Sequence, residues 1–438
     1  MSLGQRIRQV RQSRGLTQAQ LAGQELTKSF ISLMERDLTQ PSVKSLVLVA
    51  RSLGVSIDSL LGSAEHVPDQ AAGSLLTLSA DAIRGRNFAA ASQLLAAANF
   101  LSRTYGLEEP AREVLLQEAQ IALEARGDAK PWAKLVEAKE ASERVNDPWR
   151  TGRALVLMGW AKLRQREFTQ AASLLQESLA MLRRAKAGRD PARIEALIAL
   201  GSTLVYLGEF SSAIQRYEEA ANSQVAQRDP ALRGRALWGL GLANRKKGKY
   251  EMAAQFLLKA KDAFESAEEL PDLVRVLHNL GQVLYEQAKH KDALEHFHHA
   301  LRVMDKLKME VARAATLTEI GRTHLALGDL EEAQHFAQSA FQAAGQAGDP
   351  VEIAEAQVVL ARVYYRQKDS PSAIKLLKDA LAAFRERGMQ AKTVETAKEL
   401  ALLLREHGAG DEAADYLTVA LEETTRELKA MKSEANLL

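Results

Sequence analysis

Five tetrapeptides share one design: Leu157-Met158-Gly159-Trp160, Ala199-Leu200-Gly201-Ser202, Gly239-Leu240-Gly241-Leu242, Asn279-Leu280-Gly281-Gln282 and Glu319-Ile320-Gly321-Arg322. Their glycines stand 42, 40, 40 and 40 residues apart, and steps of 40 extend the series outward to Ser79, Ala119, Ala361 and Ala401. Twelve residues after each small residue come Ala91, Pro131, Ala171, Ala213, Ala253, Ala293, Ala333, Ala373 and Ala413. Nineteen after come Ala98, Ala138, Ser178, Ala220, Ala260, Ala300, Ala340, Ala380 and Ala420. Three registers held over nine copies establish an internal repeat.

Each copy reads as two antiparallel helices. The small residue lets the second helix approach the first, and two small residues seven apart line one face of that second helix. Short turns join them at Arg86-Asn87, Gly208-Glu209, Gly248-Lys249, Gly328-Asp329 and Lys368-Asp369. Sixteen residues after the small residue stand Leu95, Leu135, Leu175, Tyr217, Leu257, Phe297, Leu377 and Leu417. The pattern resembles the tetratricopeptide repeat (TPR) over roughly residues 74–430. It departs in its period, about 40 where the family has about 34, and in Pro131, which is expected to start its helix rather than sit inside it. The resemblance implies an all-α protein carrying a right-handed TPR α-solenoid of about nine helix pairs, whose concave inner surface binds rather than catalyses.

Composition agrees. At 438 residues the chain is too long for one compact core, and few prolines (10) with 5% aromatics favour helix. The absence of cysteine excludes disulfides, cysteine-ligated metals and a cysteine nucleophile. No stretch approaches the ~20 apolar residues of a membrane span. The start, Met1-Ser2-Leu3-Gly4-Gln5-Arg6, leads into a charged amphipathic segment rather than a secretory signal, which points to the cytoplasm and away from membranes. The net charge of +2 hides an asymmetry: residues 1–62 hold eight Lys/Arg against four acids, so a head of +4 precedes a body of −2. A basic head on a neutral body is an address for a polyanion.

The head has its own punctuation. Leu3, Ile7 and Val10 form a helical apolar stripe, Gly15 ends that helix, and Thr17-Gln18-Ala19-Gln20 is a capping box opening a second helix through Leu21 and Ala22. Thr27 caps a third through Phe30, Ile31 and Met34; Pro41-Ser42 starts a fourth through Leu46, Val49, Ala50 and Leu53; Ser56 caps a fifth through Ile57, Leu60 and Leu61. Together with Leu3-Gly4-Gln5-Arg6-Ile7-Arg8, Gly15-Leu16-Thr17-Gln18, Ile31-Ser32, Glu35-Arg36 and Leu53-Gly54-Val55-Ser56, these residues closely resemble the Xre/Cro-type helix-turn-helix of phage repressors. The turn Gly23-Gln24-Glu25-Leu26 is one residue shorter than usual, which bears on how the third helix approaches DNA.

A five-helix, lambda-repressor-like DNA-binding head is thus implied, its third helix in the major groove. By position, Lys28, Ser29 and Ser32 would read base edges, with Leu33 against a thymine methyl. Thr17, Gln18, Thr27, Thr39, Gln40 and Lys44 would hold phosphates or flank the groove; Arg36 either joins them or braces the head with Glu35. The domain plan is a head at 1–62, a linker at 63–73, the array at 74–430 and a tail at 431–438.

Catalytic and metal patterns do not stand out. His296 and His299 share a helix face near Asp292 and Glu295 without a His-Glu-x-x-His motif, and Gly248-Lys249-Tyr250 lacks the spacing and hydroxyl of a phosphate loop. No enzyme activity, metal or cofactor is expected. The inner face is more informative. In TPR arrays it falls near −6, −3, −2, +1 and +4 from the small residue, which selects Arg153, Trp160, Arg235, Trp238, Arg245, Arg275, His278, Asn279, Gln282, Tyr285, Arg322, Arg362 and Tyr365 as ligand contacts, beside Glu195, Ser202, Thr318 and Glu319. Such a head on such an array resembles the RRNPP group of peptide-responsive bacterial regulators. That implies a homodimer on a DNA operator, with a peptide or protein ligand in the groove. The alternative is an adaptor whose array binds a protein partner and whose head only localises it to DNA.

Overall fold

The computed structural model describes residues 2–23, 25–39, 41–55, 59–60, 67–125, 131–188, 190–309 and 313–435. Among them are 23 helices and no strand. They form two compact units, residues 1–187 and 188–438. The boundary falls in the one step of the repeat that spans 42 residues, between Gly159 and Gly201.

The first unit opens with the head. Helix α1 (Leu3–Ser13), α2 (Gln18–Ala22), α3 (Lys28–Glu35) and α4 (Val43–Leu53) surround a core of Ile7, Leu21, Ile31, Met34, Val49, Leu53 and Leu60. The capping box forms as read: Thr17 Oγ1 accepts from Gln20 N at 3.2 Å, and Gln20 Oε1 accepts from Thr17 N at 2.8 Å. Thr27 and Ser42 cap α3 and α4 through their own side chains alone, accepting from Phe30 N and Ser45 N. Ser56, Ile57 and Leu61 of the expected fifth helix, and Gln40 and Gln24, lie outside the described residues. Gly4 is required by close approach, because a Cβ there would stand 2.2 Å from the Met34 carbonyl oxygen.

Nine helix pairs follow among the described residues, from Val67–Arg84 with Phe88–Tyr105 to Gln390–Glu406 with Gly410–Ala435. A short extra helix, Gln224–Arg228, sits after Phe210–Ala221 in the second unit. Pro131 begins its helix, as expected. The stretch read as a linker is partly helical: Val67–Arg84 starts with Pro68 and Asp69 in its first turn, both favourable there. The stretch read as a tail is helical to Ala435, since Leu421–Ala435 contains neither Gly nor Pro to stop it.

The repeat's contact is a glycine against a large side chain sixteen residues on. A Cβ would lie 2.6 Å from Leu175 at Gly159, 2.9 Å from Tyr217 at Gly201, 2.6 Å from Leu257 at Gly241 and 2.5 Å from Phe297 at Gly281. Leu95, Leu135 and Leu377 are likewise buried. Leu417 is the exception, 52% exposed, because the last helix has a neighbour on one side only and turns Ala413 and Ala420 toward it. A second seam runs thirty residues apart, where Leu182 covers Gly152 and Phe264 covers Gly234. Between the helices of a pair, the left-handed turn position is held by Gly208, Gly248, Gly328 and Gly408, and elsewhere by Arg86, Arg166, Ala288 and Lys368.

Because a Cβ at Gly281 would stand 2.5 Å from the Phe297 ring and one at Gly321 would stand 3.2 Å from the Ala333 carbonyl oxygen and the Ala337 amide, equal substitutions should differ. Gly281→Ala is expected to cost about 1–3 kcal/mol by overpacking, and Gly321→Ala markedly less. The check is denaturation midpoints of the full chain; equal midpoints would contradict the seam.

Candidate nucleic-acid interface and ligand groove

In the head, α3 divides its residues between two tasks. Ile31, Met34 and Glu35 point inward, whereas Lys28, Ser29 and Arg36 are exposed, Leu33 is 37% exposed and Ser32 is half-buried. Glu35 is the brace. Its carboxylate accepts from Arg11 Nε at 2.5 Å and Nη2 at 3.0 Å, and from Gln18 Nε2 at 2.9 Å. Burial alone would raise the Glu35 pKa, but these donors outweigh it and hold the carboxyl below its ordinary value. The bracing partner is therefore Arg11. Arg36 stays outside, its Nε donating back to the Ser32 carbonyl at 3.2 Å. A second tie, absent from the sequence reading, joins α1 to the end of α3: Asp37 takes the Gly4 amide at 2.8 Å and the Ser2 hydroxyl. Asp37 adopts a left-handed φ of 57°, and that geometry is what aims its carboxylate at α1.

The expected phosphate contacts are scattered by role. Thr17 and Thr27 are exposed and already cap α2 and α3, which also places helix amides beside them. Gln18 is committed to Glu35. Thr39 is half-buried, Lys44 stands in the first turn of α4, and Gln40 lies outside the described residues.

In the array, the first unit holds Arg153 and Trp160. Arg153 is already engaged: its Nη1 donates to Glu113 at 2.8 and 3.0 Å, and its guanidinium stands over Trp149. Arg150 binds the same carboxylate at 3.1 Å. Burial opposes ionisation of Glu113, and the two arginines overcome it. Trp160 packs half-buried against the core around Leu116 and Leu155.

The second unit carries the remaining inner-face residues along successive first helices, where most are already paired, chiefly with acids. Arg235 reaches Asp272 at 3.2 Å, Arg245 reaches Gln282 at 2.6 Å, Gln282 reaches Glu319 at 3.0 Å and Arg362 reaches Glu399 at 2.8 Å. Each of these rungs spans 37 residues, one repeat less three. Rungs of 41 join Arg245 to Glu286 at 2.6 Å and Tyr365 to Glu406 at 2.8 Å. Arg322 bridges Glu319 at 3.1 Å and Glu355 at 3.2 Å. His278 Nδ1 meets the Thr316 hydroxyl at 3.1 Å, Asn279 donates to the Arg275 carbonyl at 2.8 Å, and the ring of Tyr285 lies against His290. The sequence reading found the arginines and missed most of their acids. For Arg235, Arg245 and Arg362, a carboxylate or amide 37 residues downstream was the available signal.

Among the described residues, no group of three His, Asp or Glu side chains is placed to hold a metal, and no helix is long and apolar enough to cross a membrane.

Comparison with known proteins follows this division. Residues 7–60 match the helix-turn-helix family, 150–224 the tetratricopeptide repeat and 223–437 the MalT-like TPR region. The head is 37% identical over 73 residues to an immunity repressor protein of Bacillus phage phi105, covering 16% of this chain and 51% of that one. It is 37% identical over 76 residues to the HTH-type transcriptional regulator DdrOP3 of Deinococcus deserti, covering 17% and 59%. The chain thus spans little more than half the length of these curated relatives. Among solved structures, the fold is similar to the apo quorum sensor NprR of B. thuringiensis, with a TM-score of 0.62 and 15% identity over 80% of this chain and 98% of that one. A Rap protein complexed with competence and sporulation factor gives a TM-score of 0.57 and 12% identity over 83% and 99%.

One acid in the first turn of helix Pro350–Arg366 is strained electrostatically. Burial pushes the Glu352 carboxyl up to about 7, helped by Glu355, Asp349 and Glu319 and opposed by Lys392. The fold prefers its neutral form, so stability is full below the ordinary carboxylate range and is lost as pH rises through about 7. The melting temperature of the full chain is expected to fall between about pH 5 and about pH 7.5 by an increment that Glu352→Gln removes. A variant whose curve runs parallel to wild type throughout would refute the assignment.

Proposed function

We propose that this helix-turn-helix protein with a tetratricopeptide array is a homodimeric transcription regulator, whose heads bind a duplex operator and whose array senses a peptide or protein ligand. The observation that carries the reading is the division of α3: Glu35 is locked inward by Arg11 and Gln18, while Lys28 and Ser29 face out at the capped helix start and Leu33 and Arg36 face out toward its other end. A braced helix with a polar, cationic outer face matches the dimensions of a major groove. Lys28, Ser29 and Ser32 read base edges, Leu33 meets a thymine methyl, and Arg36, Thr17, Thr27, Thr39, Gln40 and Lys44 neutralise or hold phosphates.

One head makes too few contacts for useful discrimination, so two copies act together on half-sites about 34 Å apart. For the array, support comes from the resemblance to RRNPP regulators and from the shared fold with a quorum sensor and a Rap protein solved with its factor. Ligand binding then shifts the population of head arrangements, which requires unequal affinity for the two states.

Selection from random duplex DNA at fixed salt should enrich a two-fold-related site with half-sites one helical turn apart. Lys28→Ala combined with Ser32→Ala should weaken binding to that site about tenfold or more. Unchanged affinity would remove α3 from the interface.

A further inference from the structure

The inner face of the second unit contains a hydrogen-bond donor that the repeat does not use. Trp238 lies three residues before Gly241 on helix Pro230–Lys246, and its indole Nε1–H is closed off from water with no acceptor. A donor left in that state carries a standing penalty, relieved only when an acceptor arrives. The 37-residue rungs say what stands across from it. Arg235 faces Asp272 and Arg245 faces Gln282, so the same register sets Arg275 opposite Trp238.

Arg275 is loosely held. Its side chain is 53% exposed and touches Asp272 through Nη1 at 3.4 Å. That carboxylate also takes Arg235 Nε at 3.2 Å, and the Arg235 side chain is itself 42% exposed. Two guanidinium groups, each with five N–H donors, thus share Asp272, and the 37-residue register assigns one of them to the helix position across from an indole with none of its bonding met.

We infer that Trp238 Nε1–H, Arg275 and Arg235 form a receptor for a carboxylate carried by a peptide ligand. The inference rests on the peptide-sensing reading and names the chemical group the array recognises. A carboxylate offers about four lone-pair directions. It can take two parallel N–H bonds from Arg275, one from the indole and one from Arg235. The indole face supplies apolar contact to the ligand's adjoining atoms. Reaching the indole requires side chains on this face to shift, and Arg275 is the least tied of them. Asp272 is retained as the group that positions both arginines.

The carboxylate could be the peptide's C-terminus or an Asp/Glu side chain, and the test separates them. The full chain is titrated singly with three panels of hexapeptides, read by thermal shift and calorimetry. The first panel lacks Asp and Glu and has free C-termini, the second is the same panel amidated, and the third is amidated but contains Asp or Glu. Binding by the first or third panel and not by the second supports the receptor and identifies the source of the carboxylate. Equal binding by all three overturns it while leaving peptide sensing intact, and binding by none overturns both. Trp238→Phe keeps a ring and removes the donor. It should melt no lower than wild type, yet bind the carboxylate panel about tenfold or more weakly. Arg275→Gln should weaken binding similarly. A Trp238→Phe protein that melts lower and binds as wild type does would show the indole to be structural only and would sink the receptor.

Discussion

Contact between a glycine on one helix and a bulky side chain sixteen residues later determines most of what this protein presents to its surroundings. With no Cβ at Gly159, Gly201, Gly241 or Gly281, the facing Leu175, Tyr217, Leu257 and Phe297 rest almost on backbone. The two helices of a pair are thereby held at one separation, and stacking of successive pairs acquires a fixed register. The ionic rungs of 37 and 41 residues follow from that register, which brings side chains on neighbouring first helices together at repeated offsets. Where the pairing residue is Ala337, the seam relaxes and Gly321 is merely snug.

The inner face of the second unit is accordingly a patterned surface rather than a row of free cations. Arg245, Arg322 and Arg362 are occupied by Glu286, Glu355 and Glu399. Such pairs, partly exposed, contribute little to stability individually. Their effect is to decide which donors remain available, among them Trp238 Nε1, Arg322 Nε and the loosely held Arg275. At Glu352 the surplus runs the other way, where burial and neighbouring acids push the carboxyl up to about 7.

The head repeats the theme at smaller scale. Gly4 lets α1 touch the Met34 carbonyl, and Asp37 and Glu35 then tie α1 to α3 from two sides. Both carboxylates are held below their ordinary pKa, Asp37 by the Ser2 hydroxyl and the Gly4 amide, Glu35 by Arg11 and Gln18 against the cost of burial. Their contribution is therefore present above the ordinary carboxylate range and is lost as pH falls below it. An orientation of α3 set by charge-assisted bonds on its inner side leaves its outer side free of structural duty.

Much of this was legible in the residues alone. Periodicity located nine helix pairs, because small residues recurring together at offsets of 12 and 19 from the first of them fit the close packing of two helices. Local chemistry located the head's caps at Thr17, Thr27 and Ser42, since capping depends on neighbours three residues away. What spacing within one helix could not reveal were bonds between helices: Arg11 rather than Arg36 as the partner of Glu35, Arg153 spent on Glu113, and Leu417 left outside. The sequence by itself determined which residues share a face, a matter of 3.6 residues per turn. Only the tertiary structure decided which members of that face were already satisfied, because satisfaction depends on the offset between stacked helices, and that offset is set by how closely glycine lets them approach.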